Sequence, residues 1–122
     1  MAQSKKTMVI GASENSARYA FMAITRLNDA GHEVVPLSNK EGEVASIPFL
    51  KGYPLIEDID TVTLYVGPQR QEQYIEYVSK LKPKRVIFNP GTINPSWMQE
   101  LERDGVEVVD GCTLVMLSTG LY

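Results

Sequence analysis

VIGASENSARYA, residues 9–20, reads as a buried strand, a tight glycine turn and the opening of an amphipathic helix. A helix that opens just beyond a glycine turn directs unpaired backbone N–H groups, and the positive end of its dipole, at whatever sits above the turn. That is an anion site suited to phosphate or pyrophosphate. Within it, Gly11-x-Ser13-x-x-Ser16 is a variant of the dinucleotide fingerprint with serine at the second and third glycine positions. Gly11 permits the turn, Ser13 adds a hydroxyl donor, and Ser16 is small enough for close helix–strand packing. The competing reading is a turn shaped only for that packing. Asn15, Arg18 and Tyr19 stand at the helix mouth, where the planar fork of Arg18 suits a phosphate or simply solvent.

Outward from this turn the chain alternates strands with helices. The expected strands are Thr7 to Ile10, Glu33 to Leu37, Thr61 to Val66, Arg85 to Phe88 and Val106 to Val109. Between the first two, Ala20, Ala23, Ile24 and Leu27 recur at helical spacing from about Ser16 to Ala30, and Gly31 ends the helix. Gly67-Pro68 opens a second helix running to about Leu81, burying Ile75, Val78 and Leu81. Asn94-Pro95 opens a third, through Arg103, whose Trp97, Met98 and Leu101 make a face packed on the sheet. Residues 41–60 hold Pro48, Gly52 and Pro54, which break any long helix, so an irregular crossover is expected, with at most a short helix near Leu55 to Ile59. The pattern predicts an α/β fold: a Rossmann-like, doubly wound parallel sheet of about five strands in a single domain, residues 1–122. The expected strand order is 3-2-1-4-5, with the topological switch between strands one and four and the first loop facing Asn89–Thr92 across it.

Composition excludes several classes of function. At 122 residues there is room for one core and no second, substrate-handling domain. A net charge of −3 with scattered lysines and arginines offers no basic face to nucleic acid. No apolar run approaches the ~20 residues that span a bilayer, and the polar start is unlike a signal peptide, so a cytoplasmic location is the expectation. One cysteine and one histidine make neither a disulfide framework nor a metal cluster.

The loops at the carboxyl ends of the strands carry the remaining clues. The second strand runs into Leu37-Ser38-Asn39-Lys40, with no acid before Glu41, where an NAD site usually keeps an acid for the ribose. A lysine there favours a ligand with an extra ribose phosphate, NADP or coenzyme A; an exposed loop lysine is the plain alternative. In Asn89-Pro90-Gly91-Thr92, Pro90 fixes a bend and Gly91 lets backbone approach a ligand, although turn chemistry alone accounts for both. Catalytic groups are thin. His32 precedes the second strand, at the amino end of the sheet, and is expected at the surface; Glu14, Glu41 and Asp110 are not spaced for acid–base work; Cys112 follows the fifth strand, either buried and inert or placed to meet a thiol-bearing ligand.

Taken in order, VIGASENSARYA, PLSNK followed by Gly42, YPLIEDI, YVGP, FNPGTIN and VVDGCTLVML resemble the small stand-alone coenzyme A-binding proteins, whose domain is similar to the amino-terminal domain of the succinyl-CoA synthetase alpha subunit. The resemblance covers nearly the whole chain. It implies that Gly11, Ala12, Ser13 and Asn15 hold the pyrophosphate with Arg18 and Tyr19 nearby. Asn39 and Lys40 would meet the adenosine ribose and its phosphate, and Val66, Gly67 and Pro68 would flank adenine. Asn89, Pro90 and Gly91 would line the channel toward the pantetheine arm. The serines in the turn depart from the synthetase pattern. That enzyme's phosphorylated histidine lies in a later domain absent here, so ligase chemistry is not implied. The expectation is a coenzyme A or acyl-CoA binding module without catalysis of its own. The alternatives are a small NADP-dependent oxidoreductase, and an interaction protein that has lost its ligand and uses Leu114-Val115-Met116-Leu117 as a docking or homodimer surface.

Overall fold

In the computed structural model, residues 4–122 are described. Four strands, β1 (Thr7–Ile10), β2 (Val34–Leu37), β5 (Thr61–Leu64) and β6 (Arg85–Phe88), are buried at every residue. Burial on both faces is what a parallel sheet imposes, since its crossovers cover each side. They are joined by β7 (Glu107–Asp110), which is half-buried with exposed acids at both ends. All four pairings are parallel, in the order β2-β1-β5-β6-β7. A two-stranded antiparallel hairpin, β3 (Glu43–Val44) with β4 (Ile47–Pro48), forms a second sheet that packs beside β2 and α1.

The alternation, the five strands and the single α/β domain agree with the sequence reading, but the strand order does not. In expected numbering it is 2-1-3-4-5, so the strand at 61–64 lies against β1 on the side away from β2. Two features account for this. Pro36 lacks the N–H that an interior strand needs, which suits an edge position. The outer edge of β2 is then taken by Leu50, which bridges to Leu37 while its N–H donates to the Pro36 carbonyl. No strand can dock there, so the chain returns on the far side of β1. The switch therefore falls between β1 and β5, and the neighbour of the first loop is Tyr65–Pro68 instead of Asn89–Thr92.

One face of the sheet is apolar. Met8, Ile10, Val62, Leu64, Val86 and Phe88 pack beneath α2 (Glu72–Leu81) and α3 (Pro95–Arg103). Trp97 meets Phe88 edge-on at 5.5 Å between centroids, as the expected helix face requires. In α2 the buried residues are Tyr74, Tyr77, Val78 and Leu81, with Ile75 only half-buried. The opposite face takes α1 (Tyr19–Asp29) and α4 (Thr113–Thr119). Here Val9, Ile24 and Leu27 form a smaller apolar cluster with Leu117 and Tyr122 against it.

The helix openings differ in two places. Helix α1 starts three residues later than its periodicity suggests, because the Asn15 side chain accepts from the Ala17 N–H and its carbonyl from the Arg18 N–H, holding residues 15–18 in a turn. A 3-10 turn, Pro68–Arg70, precedes α2. Residues 55–59 form no helix and hold a single turn, at residues 57 and 58. His32 is a further correction: only 8% exposed, it is buried, not a surface residue. Its Nδ1 accepts the Lys5 N–H at 2.9 Å, and its ring lies 4.9 Å from that of Tyr122, a contact between residues ninety apart.

Candidate functional site

Pairing in register puts Leu37, Ile10, Leu64, Phe88 and Asp110 in one row across the sheet. The loops that follow therefore emerge along a single edge: Ser38–Lys40, Gly11–Arg18, Tyr65–Pro68, Asn89–Thr92 and Gly111-Cys112. Open parallel sheets bind ligands at this edge, beside the switch.

Gly11 makes the close crossing at the switch possible. Its φ is +96°, and a Cβ there would lie 3.0 Å from Val66 Cγ1 and 3.1 Å from the Tyr65 backbone. Glycine alone accepts both conditions. The amides of Gly11 and Ala12 are not aimed at a ligand, since both donate to the Leu37 carbonyl at 3.0 Å. They tie the loop to β2. The Asn15 amide donates to Ser13 Oγ. Among the described residues, the amides of Ser13, Glu14, Ser16, Tyr19, Ala20 and Phe21 find no acceptor, and α1 has no side-chain cap. Uncapped first-turn donors, with Asn15, Ser16, Arg18 and Tyr19 exposed around them, form a donor set that fits phosphate oxygens. Glu14, the one acid in the loop, is drawn aside: its Oε2 accepts the Glu43 N–H at 2.9 Å.

At the neighbouring loop, Ser38 Oγ accepts the Lys40 N–H at 3.1 Å, leaving Asn39 and Lys40 exposed. The three ion pairs among the described residues, Lys6–Glu33, Lys51–Glu41 and Lys80–Glu76, involve neither Lys40 nor Arg18. On the other side of β1, Val66 is buried, Gly67 half-buried and Pro68 exposed.

Asn89 behaves differently from its expected partners Pro90 and Gly91, which are exposed. It is 2% exposed, and its Nδ2 donates to Thr63 Oγ1 and the Leu64 carbonyl while its Oδ1 accepts the Thr113 N–H. Asn89 thus pins β5, β6 and the start of α4 together, and its side chain is fully used inside the fold. Thr63 and Thr113 share a hydroxyl hydrogen bond beside the Tyr65 hydroxyl, whose pKa burial pushes up to about 12. Cys112 is half-buried at the head of α4.

Sequence reasoning missed Gln71, which is wholly buried between two of these loops. A single glutamine near a helix start reads as solvated, and no local signal marks it. Among the described residues, no group of three His, Cys, Asp or Glu is placed to hold a metal ion, and no helix is long and apolar enough to cross a membrane.

The model of the CoA binding domain matches residues 5–118. A crystal structure of an uncharacterized protein, 48% identical, superposes with a TM-score of 0.97 over 99% of this chain and 100% of its own. A hypothetical protein from Pyrococcus horikoshii OT3, 25% identical, gives 0.84 over 98% of this chain and 84% of its own. A Thermus thermophilus protein at 22% identity gives 0.85 over 98% and 91%, a likeness of fold alone. No curated protein matches.

Proposed function

This chain belongs to the CoA binding domain family, and from that premise we propose that residues 1–122 form one binding module for coenzyme A or its acyl thioesters, working in the cytoplasm without a catalytic step of its own. The observation that carries the reading is the uncapped start of α1 at the strand-end edge, where neither Arg18 nor Lys40 is in an ion pair. The bound group would supply a thiol that carries acyl chains as thioesters. The chain's own residues bind and orient it.

In this reading Ser13, Asn15 and the first-turn amides of α1 take the pyrophosphate, with Arg18 and Tyr19 flanking it. Gly11 and Ala12 serve by anchoring the loop to Leu37. Asn39 and Lys40 meet the ribose and its 3′-phosphate; Val66, Gly67 and Pro68 flank adenine; Pro90 and Gly91 line the pantetheine path, with Asn89 fixing its floor. The reading includes a homodimer through the outer side of α4, where Val115 and Leu121 stay exposed.

Isothermal titration of the purified chain with coenzyme A, NADP and NAD tests the proposal. Saturable heat with coenzyme A, and none with NAD, is the expected result. Heat with NADP together with turnover of NADPH on simple carbonyls selects the oxidoreductase instead, and no heat with any of the three leaves an interaction protein. Light scattering that gives a strict monomer mass removes only the dimer.

A further inference from the structure

Gln71 joins two ligand-side loops through a single buried amide. Its Nε2 donates to the Val66 carbonyl at 2.9 Å and to the Thr92 carbonyl at 2.7 Å, while its Oε1 accepts from Asn94 Nδ2 at 2.9 Å. Both donor hydrogens and the acceptor are engaged, at a residue with no exposed surface. Val66 belongs to the loop after β5, Thr92 to the loop after β6, and Asn94 caps α3. Asn89 fixes the roots of the same loops by its bond to Leu64, so Gln71 holds their outer ends. A carboxylate of the same length would set oxygen against two carbonyls, and a leucine would leave two buried carbonyls and the half-buried Asn94 amide without this partner.

We infer that Gln71 is a positioning residue that fixes the spacing between Val66–Pro68 and Asn89–Thr92, and thereby sets how much the pantetheine arm adds to the affinity of the nucleotide half. The inference rests on the proposed coenzyme A site, whose adenine and pantetheine ends these two loops serve. It concerns the ratio of two affinities, not the presence of binding.

The test uses the full chain and two ligands, coenzyme A and adenosine 3′,5′-bisphosphate, titrated against wild type, Gln71→Leu and Gln71→Glu. Wild type is expected to favour coenzyme A. Gln71→Leu is expected to lower that preference about tenfold while the bisphosphate affinity stays within about twofold of wild type. Gln71→Glu is expected to show the same loss at neutral pH and partial recovery in acid, where a protonated carboxyl donates one of the two bonds. A merely structural role would weaken both ligands in parallel. Hydrogen exchange should also rise together in residues 66–67 and 91–94 of either variant, with the sheet unchanged. An unchanged preference, or exchange that rises in one loop alone, overturns the inference while leaving the site intact. Wild type that ignores coenzyme A overturns both.

Discussion

At the scale of single residues, the site depends on atoms that are absent. A Cβ added to Gly11 would lie 3.1 Å from the Tyr65 backbone, at a φ only glycine holds without strain. Gly11→Ala is expected to destabilise the fold by about 2 kcal/mol, read from the denaturant midpoint, and to weaken coenzyme A with it. Gly42 makes room for Glu14, whose Cδ would sit 2.6 Å from an added Cβ. That room keeps the acid bonded to the Glu43 amide and away from a ligand's phosphates. Lys40 bears on specificity instead. Lys40→Ala is expected to weaken coenzyme A about tenfold, the scale of one charge-assisted bond, and to leave dephospho-coenzyme A, which lacks the 3′-phosphate, unchanged. Equal losses in both titrations would place Lys40 away from that phosphate.

Among the elements, those whose signals are local were legible. The first strand, its glycine turn, and α3 with Asn94 before Pro95 all follow from neighbouring residues. Asn94 Oδ1 does accept the Trp97 N–H at 3.4 Å. Asn94→Ala should cost about 1 kcal/mol for the lost cap. Because Asn94 also donates to Gln71, combining it with Gln71→Leu should cost less than the sum of the two, measured as a double-mutant cycle in thermal unfolding. Strand order was not legible by periodicity, since it turns on Leu50 covering the edge of β2 from thirteen residues away. Pro36 was the one available sign. The start of α1 shifted for a related reason: Asn15 outcompetes the helix for the Ala17 amide, a choice that helical spacing does not register. At the site, chain position alone put the candidate residues on one edge. It did not separate Asn89, whose side chain is consumed inside the fold, from the exposed Pro90 and Gly91, because that difference depends on Thr63 and Thr113.

For the molecule as a whole, the end opposite the site is closed by long-range contacts. The Tyr122 ring lies 4.4 Å from the Arg85 guanidinium, its hydroxyl meets Thr7 Oγ1, and its carbonyl accepts from Lys5 and Arg85. His32 completes this group, and its pKa lies below 6.5 through burial first, then the nearby charges of Lys5 and Arg85, against a smaller opposing pull from Asp60. The neutral ring is the form that accepts the Lys5 amide. Its contribution to stability is therefore full above 6.5, where the unfolded ring is also neutral, and is lost as pH falls from there through the lowered folded value. Wild type should lose stability across that interval, and His32→Gln should flatten the loss, in denaturation curves taken from pH 7.5 to 5.

Among the described residues no strand pairs with the outer flank of β7, whose ends carry Glu107 and Asp110. A second copy pairing its own β7 there in full register would bring carboxylate against carboxylate, whichever way it runs. Edge-to-edge pairing of two copies through β7 is thus opposed at neutral pH by these two acids, while Leu50 closes the other edge of the sheet. Neutralising them, as Glu107→Gln with Asp110→Asn, should raise self-association on warming, read by light scattering, so resistance to edge pairing is set at the rim of the sheet and not in its core.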